Sequence, residues 1–204
     1  MNKKTPLRPQ LWSDRPVEET ISVYDDWAQD YDDEITERGY RTPARIARAL
    51  QGRLKPEAEI LDFGCGTGIS GRALTGAGFA TIDGTDISPR MLEIARGKKL
   101  YRKLWLGEPG TVPAEPGTYD AIVAAGVVSL GAAPPETLDH LMEALAPGGV
   151  LALSFNDPTI ADDRYGARLD GWVADKRAEL LLREHGPHLD DLDMGADVII
   201  LRRL

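Results

Sequence analysis

Ile60-Leu61-Asp62-Phe63-Gly64-Cys65-Gly66-Thr67-Gly68 decides the fold of this chain. An apolar run enters a turn with glycine at three alternating positions, and Asp86 follows eighteen residues after Gly68. Glycine tolerates positive φ and allows close backbone approach to a ligand. An acid at the end of the next strand is placed to grip a ribose. An open α/β sheet holds an adenosine-containing cofactor in this way, at the carboxyl ends of its strands.

The spacing discriminates between cofactors. Dinucleotide sites use G-x-G-x-x-G, with a pyrophosphate at the N-terminus of the following helix. Here the third dinucleotide glycine is replaced by Ile69, and the glycines run G-x-G-x-G. Asp62 stands two residues before the first of them. A carboxylate there repels a phosphate and suits a cofactor carrying an amine and a sulfonium. The residues read as adenosine plus a cation, which counts against an NAD-dependent oxidoreductase.

Outward from the turn, strand and helix signals alternate. Strands are expected at about 59–63, 80–85, 103–106, 119–125 and 150–155. Between them, helices are expected at about 69–77, from Ser88-Pro89 to Gly97, and at 135–145. Ser88-Pro89 and Thr42-Pro43 each read as a cap followed by proline at the first helical position. The tail reads as a helix at 165–174 and two strands at 178–184 and 197–203, joined by a long polar loop, 185–196. Strand–helix alternation predicts a mostly parallel sheet with right-handed crossovers. Residues 1–16, rich in proline and charge, are expected to be a flexible N-terminus. Residues 17–204 then form one domain, with a helical lid over 17–52 and the sheet core over 53–204. Nine acids and no base fall in residues 17–37, and Tyr24, Trp27 and Tyr31 share one helix face there. That pattern fits an amphipathic helix with an aromatic stripe, and equally a lid whose aromatic faces attract a cation.

With these motifs the chain resembles class I S-adenosylmethionine-dependent methyltransferases, closest to the small Williams–Beuren-region methyltransferase-like group. The resemblance rests on the glycine turn, on Gly84–Leu92, on Tyr119–Val127, on Tyr24–Ala28 with Tyr31-Asp32, on Gly39–Pro43, and on Leu145–Gly149. It implies a Rossmann-like, doubly wound, mostly parallel seven-stranded sheet with an antiparallel last strand. The implied cofactor is S-adenosylmethionine, with S-adenosylhomocysteine as product.

The cofactor-binding residues follow from the same motifs. Gly64, Cys65, Gly66 and Gly68 form the turn, Asp62 takes the amino group and Asp86 the ribose. Ile87 and Met91 pack on the adenine, although Met91 suits plain core packing as well. Gly107 and Glu108 fall where the family meets the adenine edge, and Ala125 ends the fourth strand beside the methionine part. Tyr24 and Tyr31 close from the lid. Arg41 either reaches the methionine carboxylate or lies exposed. Cys65 has no adjacent base, so it reads as a small residue beside the cofactor and not as a reactive thiol.

The acceptor is less legible. No Asn/Asp-Pro-Pro-aromatic tetrapeptide follows the fourth strand, which disfavours the base and amide nitrogens that family members with that motif methylate. Asn156, after the fifth strand, and His185 and His188, after the sixth, are the candidate catalytic residues, with surface polars as the plainer reading. Histidine suits general-base work near neutral pH. His140, in mid-helix, reads as structural. No metal site is expected: Asp30, Asp32 and Asp33 do not converge on one point of a helix, and two tail histidines are slender grounds for another.

Net charge is −9 with pI near 4.9, and no basic stripe offsets it. Such a surface repels a phosphate backbone, so nucleic acid is not the expected partner. One cysteine and no apolar run of membrane length fit a cytoplasmic protein without a membrane partner. The expected function is methyl transfer to a small molecule. The alternatives are a non-catalytic module that binds the cofactor or its product, and a protein methyltransferase.

Overall fold

The computed structural model describes residues 11–204. Helices α1 (Val17–Glu37) and α2 (Thr42–Leu50) precede β1 (Glu59–Phe63), α3 (Ile69–Gly76), β2 (Thr81–Asp86), α4 (Pro89–Lys98) and β3 (Lys103–Leu106). Then come β4 (Ala121–Ala124), α5 (Thr137–Ala144), β5 (Val150–Asn156), α6 (Asp157–Ile160), α7 (Asp163–Ala174), β6 (Ala178–Leu189) and β7 (Met194–Arg203). The seven strands form one sheet in the order β3-β2-β1-β4-β5-β7-β6. The first five strands pair in parallel and β7 runs antiparallel to both β5 and β6. The expected Rossmann-like sheet with its antiparallel last strand is therefore present.

The central strands are buried on both faces, so they are apolar without alternation. Leu61, Ile122, Leu151, Leu153 and Ile199 pack with Leu138, Leu141 of α5 and Leu169, Trp172 of α7. The opposite face, Ile60, Ile82, Val123, Val198 and Ile200, packs with Ile46, Ala47 and Leu50 of α2 and Leu74 of α3. The chain reverses direction across the sheet between β1 and β4, and a crevice opens there beyond the strand ends.

Three expectations are corrected. First, α2 is a core helix: Ile46, Ala47 and Leu50 pack against the sheet. Second, part of 11–16 packs on the domain: Leu11 is buried, and Arg15 donates to Gly131 O and, at 3.0 Å, to Thr20 Oγ1. The rest of the expected flexible segment, 1–10, lies outside the described residues.

Third, the polar stretch 185–196 is mostly strand, closed by a short 3-10 turn at Asp190–Leu192. Arg45 of α2 donates to the carbonyls of Glu184, Pro187 and Ala196 at 2.8–3.1 Å. Asp197 accepts from Arg183 Nε at 2.7 Å and pairs with His185 Nδ1 at 2.9 Å. Of the polar residues that suggested a loop, His185 is a cross-strand partner of Asp197, while His188, Asp190 and Asp191 meet Thr42, Arg41 and Arg38. Pro187 is tolerated because β6 is an edge strand.

Candidate functional site

At the carboxyl ends of β1, β2, β3 and β4 lies a cavity of about 690 Å³, within the range that holds a small cofactor with a substrate. Its floor is the glycine turn. Gly64, at φ +67, cannot carry a side chain, since a Cβ would stand 2.4 Å from Val127 Cγ2. Gly66, at φ +53, faces open space, so any side chain there would occupy the cavity.

Asp86 ends β2 and lines the cavity. Its Oδ2 accepts from Gly66 N and its Oδ1 from Ser88 N, both at 2.8 Å. Two backbone amides thus aim the carboxylate and leave a lone pair on each oxygen for a ligand. Burial raises its pKa, against the lowering effect of those amides.

Asp62 sits beneath the turn and is fully buried. Burial pushes its pKa up to about 6, opposed by Ser70 and Tyr101, whose hydroxyls donate to Oδ2 at 2.6 and 2.7 Å. Its Oδ1 has no partner among the described residues. The hydrogen bonds to Asp62 come from hydroxyls and those to Asp86 from backbone amides. Two buried acids held in this way suit a positively charged ligand.

Of the expected cofactor residues, Tyr24, Tyr31, Gly64, Gly66, Asp86, Ile87, Met91, Gly107, Glu108 and Ala125 line the cavity. Tyr24 and Tyr31 come from one face of α1, while Trp27 between them is buried and packs edge-on to Tyr31 at 4.7 Å. Asp62, Cys65 and Gly68 lie just behind the surface. Burial raises the Cys65 thiol pKa well above its ordinary value. Arg41 does not reach the cavity. It is exposed and donates to Asp190 Oδ2 through Nε at 2.8 Å, because the turn after β6 brings Asp190 to it.

The expected catalytic residues do not line the cavity. Asn156 caps α6, accepting from Thr159 N at 3.1 Å and Thr159 Oγ1 at 2.7 Å. Thr159 Oγ1 in turn accepts from Leu130 N at 3.1 Å, so Asn156 supports the loop that does line it. His185 is an exposed strand residue paired with Asp197. His188 is buried with Nδ1 2.7 Å from Thr42 Oγ1, and burial lowers its pKa to about 4. Thr42 is therefore a partner of His188 and not the helix cap; α2 begins at Thr42 without a side-chain cap.

Sequence reasoning missed His140. Leu138, Leu141 and Met142 bury one face of α5, and the opposite face presents Glu136, Thr137 and His140 to the cavity. A 3.6-residue period assigns that face to solvent and cannot show what encloses the solvent. Tyr101 was also missed. Its ring fills the space over Gly71 and Gly84, where a Cβ would meet ring atoms at 2.5 and 3.0 Å. Those two glycines were the available signal.

Among the described residues, no group of three or more His, Cys, Asp or Glu is placed to hold a metal ion. No helix among them is long and apolar enough to cross a membrane.

Comparison with known proteins agrees with this geometry. Residues 35–193 match the family model described as "Methyltransferase domain". The chain is 36% identical over 139 residues to human methyltransferase-like protein 27, covering 66% of this chain and 56% of that protein. It is 40% identical over 85 residues to the 18S rRNA (guanine-N(7))-methyltransferase of Bos taurus, covering 40% of this chain and 30% of that protein. The chain thus spans about half of the human relative and under a third of the bovine one. Among solved structures, magnesium protoporphyrin IX methyltransferase from Synechocystis PCC 6803, with bound S-adenosylmethionine, superposes with TM-score 0.68 at 16% identity, covering 94% of this chain and 100% of that one. Family match, sheet order and glycine turn agree: this chain belongs to the methyltransferase domain family and has the fold of class I S-adenosylmethionine-dependent methyltransferases.

Proposed function

We propose that this chain transfers a methyl group from S-adenosylmethionine to a small molecule held in the part of the cavity walled by α5. The observation that carries the donor is the pair of buried carboxylates at the glycine turn: Asp62, whose Oδ1 has no partner among the described residues, and Asp86, aimed into the cavity by two backbone amides. Both positive groups of the donor suit that pair.

In this reading Asp86 accepts from the ribose hydroxyls, and ionised acceptors make the stronger bonds. Asp62 draws the amino group towards the turn with its unpartnered Oδ1. Ile87 and Met91 hold the adenine, Glu108 accepts from its exocyclic amine, and Ala125 leaves room beside the sulfur. Tyr24 and Tyr31 exclude water from above. The bound donor supplies an already activated methyl group. The chain's main contribution is then to position the acceptor in line, an effect worth up to roughly 7–11 kcal/mol.

His140 takes the acceptor's proton at an imidazole nitrogen where the acceptor has one to lose. Several neighbouring groups are unavailable as bases. Burial raises the phenol of Tyr24, Tyr31 and Tyr165, and Arg168 donates to Glu136 at 2.8 Å. The net charge of −9 supports a small acceptor over a nucleic acid.

Calorimetric titration with S-adenosylmethionine, S-adenosylhomocysteine and NAD tests the donor. Tighter binding of NAD would overturn it. Labelled donor incubated with a metabolite extract tests transfer. Label on protein or RNA alone would replace the small-molecule reading, and label on nothing would favour a non-catalytic binding module.

A further inference from the structure

The acidic run of α1 is not a uniformly solvated face. Asp25 Oδ1 accepts from Ser88 Oγ at 2.5 Å and from Arg90 N at 3.2 Å. Asp32 Oδ1 accepts from Thr67 Oγ1 at 2.5 Å, and its Oδ2 pairs with Lys98 Nζ. Asp25 and Asp32 are seven residues apart, two turns on one face, and each follows a tyrosine that lines the cavity.

The two contacts close a ring through the site. Ser88, which donates its hydroxyl to Asp25, donates its backbone amide to Asp86 Oδ1. Gly66, next to Thr67, donates its amide to Asp86 Oδ2. One carboxylate in the cavity is therefore joined on one side to Asp25 through Ser88, and on the other to Asp32 through the glycine turn. The two turns of α1 complete the circuit.

We propose that Asp25 and Asp32 are positioning residues that latch α1 onto the two loops holding Asp86, so that docking of the lid and occupancy of the cavity are coupled. The proposal rests on the S-adenosylmethionine reading for its ligand and on the ring alone for its mechanics. Coupling of this kind is reciprocal in free energy: a docked lid raises ligand affinity, and bound ligand favours the docked lid by the same factor.

The side chains define the test. An asparagine at position 25 keeps the oxygen that accepts both bonds, whereas alanine removes it. Alanine also favours helix more than aspartate does, so an alanine variant that loosens α1 has undocked it and not uncoiled it. Asp25→Ala, Asp32→Ala, the double variant and Asp25→Asn are compared by hydrogen exchange of residues 17–37, with and without S-adenosylhomocysteine, and by its dissociation rate.

The expected result for the double variant is about ten-fold faster exchange of α1 without ligand and about ten-fold faster dissociation, the scale of one charge-assisted hydrogen bond. Asp25→Asn should stay within about two-fold of the natural protein. Unchanged exchange and dissociation in the double alanine variant would overturn the latch. If the natural protein fails to bind S-adenosylhomocysteine, the donor reading falls. Exchange of ligand-free α1 still decides whether the two acids hold the helix down.

Discussion

The two halves of the cavity are built differently. The donor half is made of strand ends: backbone at Gly64 and Gly66, and a carboxylate at Asp86 fixed by two backbone amides. The far half is made of helix faces and a strap: Thr137 and His140 of α5, Tyr165 of α7, Asp14 and Arg15 of the N-terminal segment. A strand end is held by its neighbours in the sheet, so its geometry follows from the fold. An outward helix face is free to carry any polar residue, because the core on its other side sets the packing.

Breaking the donor half should have the largest effect. Asp86→Ala removes the ligand acceptor and frees Gly66 N, so affinity for S-adenosylhomocysteine should fall about 100-fold, near 3 kcal/mol. Calorimetric titration checks it, and a change under two-fold would detach Asp86 from the ribose. In the far half, His140→Ala should lower label transfer to extract metabolites by roughly 100-fold or more, the scale of general-base catalysis. Its affinity for S-adenosylhomocysteine should stay within about two-fold. A variant that loses both together would show that the two halves are not separable in function.

Protonation sharpens the contrast within the donor half. The folded pKa of Asp62, about 6, stands above its ordinary 3.8. The folded protein therefore binds the proton more readily, and Asp62 adds stability as pH falls from about 6 towards 3.8. His188 acts oppositely. Its folded pKa of about 4 lies below the ordinary 6.5, so its contribution is complete above 6.5 and is lost as pH falls towards 4. The two offset each other in the same window.

Asp62→Asn removes one side of that balance. Between pH 7 and 4.5, urea denaturation of the ligand-free variant should show about 2 kcal/mol more loss of stability than the natural protein. Parallel pH profiles would mean that Asp62 does not take up the proton. The smallest effect belongs away from the cavity. Thr42→Val strips the buried partner from His188 and should cost about 1 kcal/mol in stability with no change in S-adenosylhomocysteine affinity.

The donor half was legible in the sequence because its parts are local. Three glycines, one acid before them and one at the next strand end lie within about thirty residues, and each is demanded by backbone geometry. Ser88-Pro89 announced the start of α4, and Ser88 Oγ does accept from Met91 N at 3.1 Å. Thr42-Pro43 carried the same signal and meant something else, because His188, far along the chain, claims the hydroxyl. His185 and His188 read as loop residues for a similar reason. Their strand exists through Arg45 and Asp197, which no local pattern couples to them.

By itself the sequence determined the sheet class, the glycine turn and the placement of Asp86, since φ preferences, strand apolarity and strand–helix alternation act over a few residues. Tertiary structure alone decided that α2 joins the core, that Asn156 supports a loop from behind, that His140 faces an enclosed space, and that Asp25 and Asp32 meet Ser88 and Thr67. Each depends on which solvent-facing surface another element covers. Helical periodicity marks a face as outward without naming its neighbour, and only the packed chain supplies that neighbour.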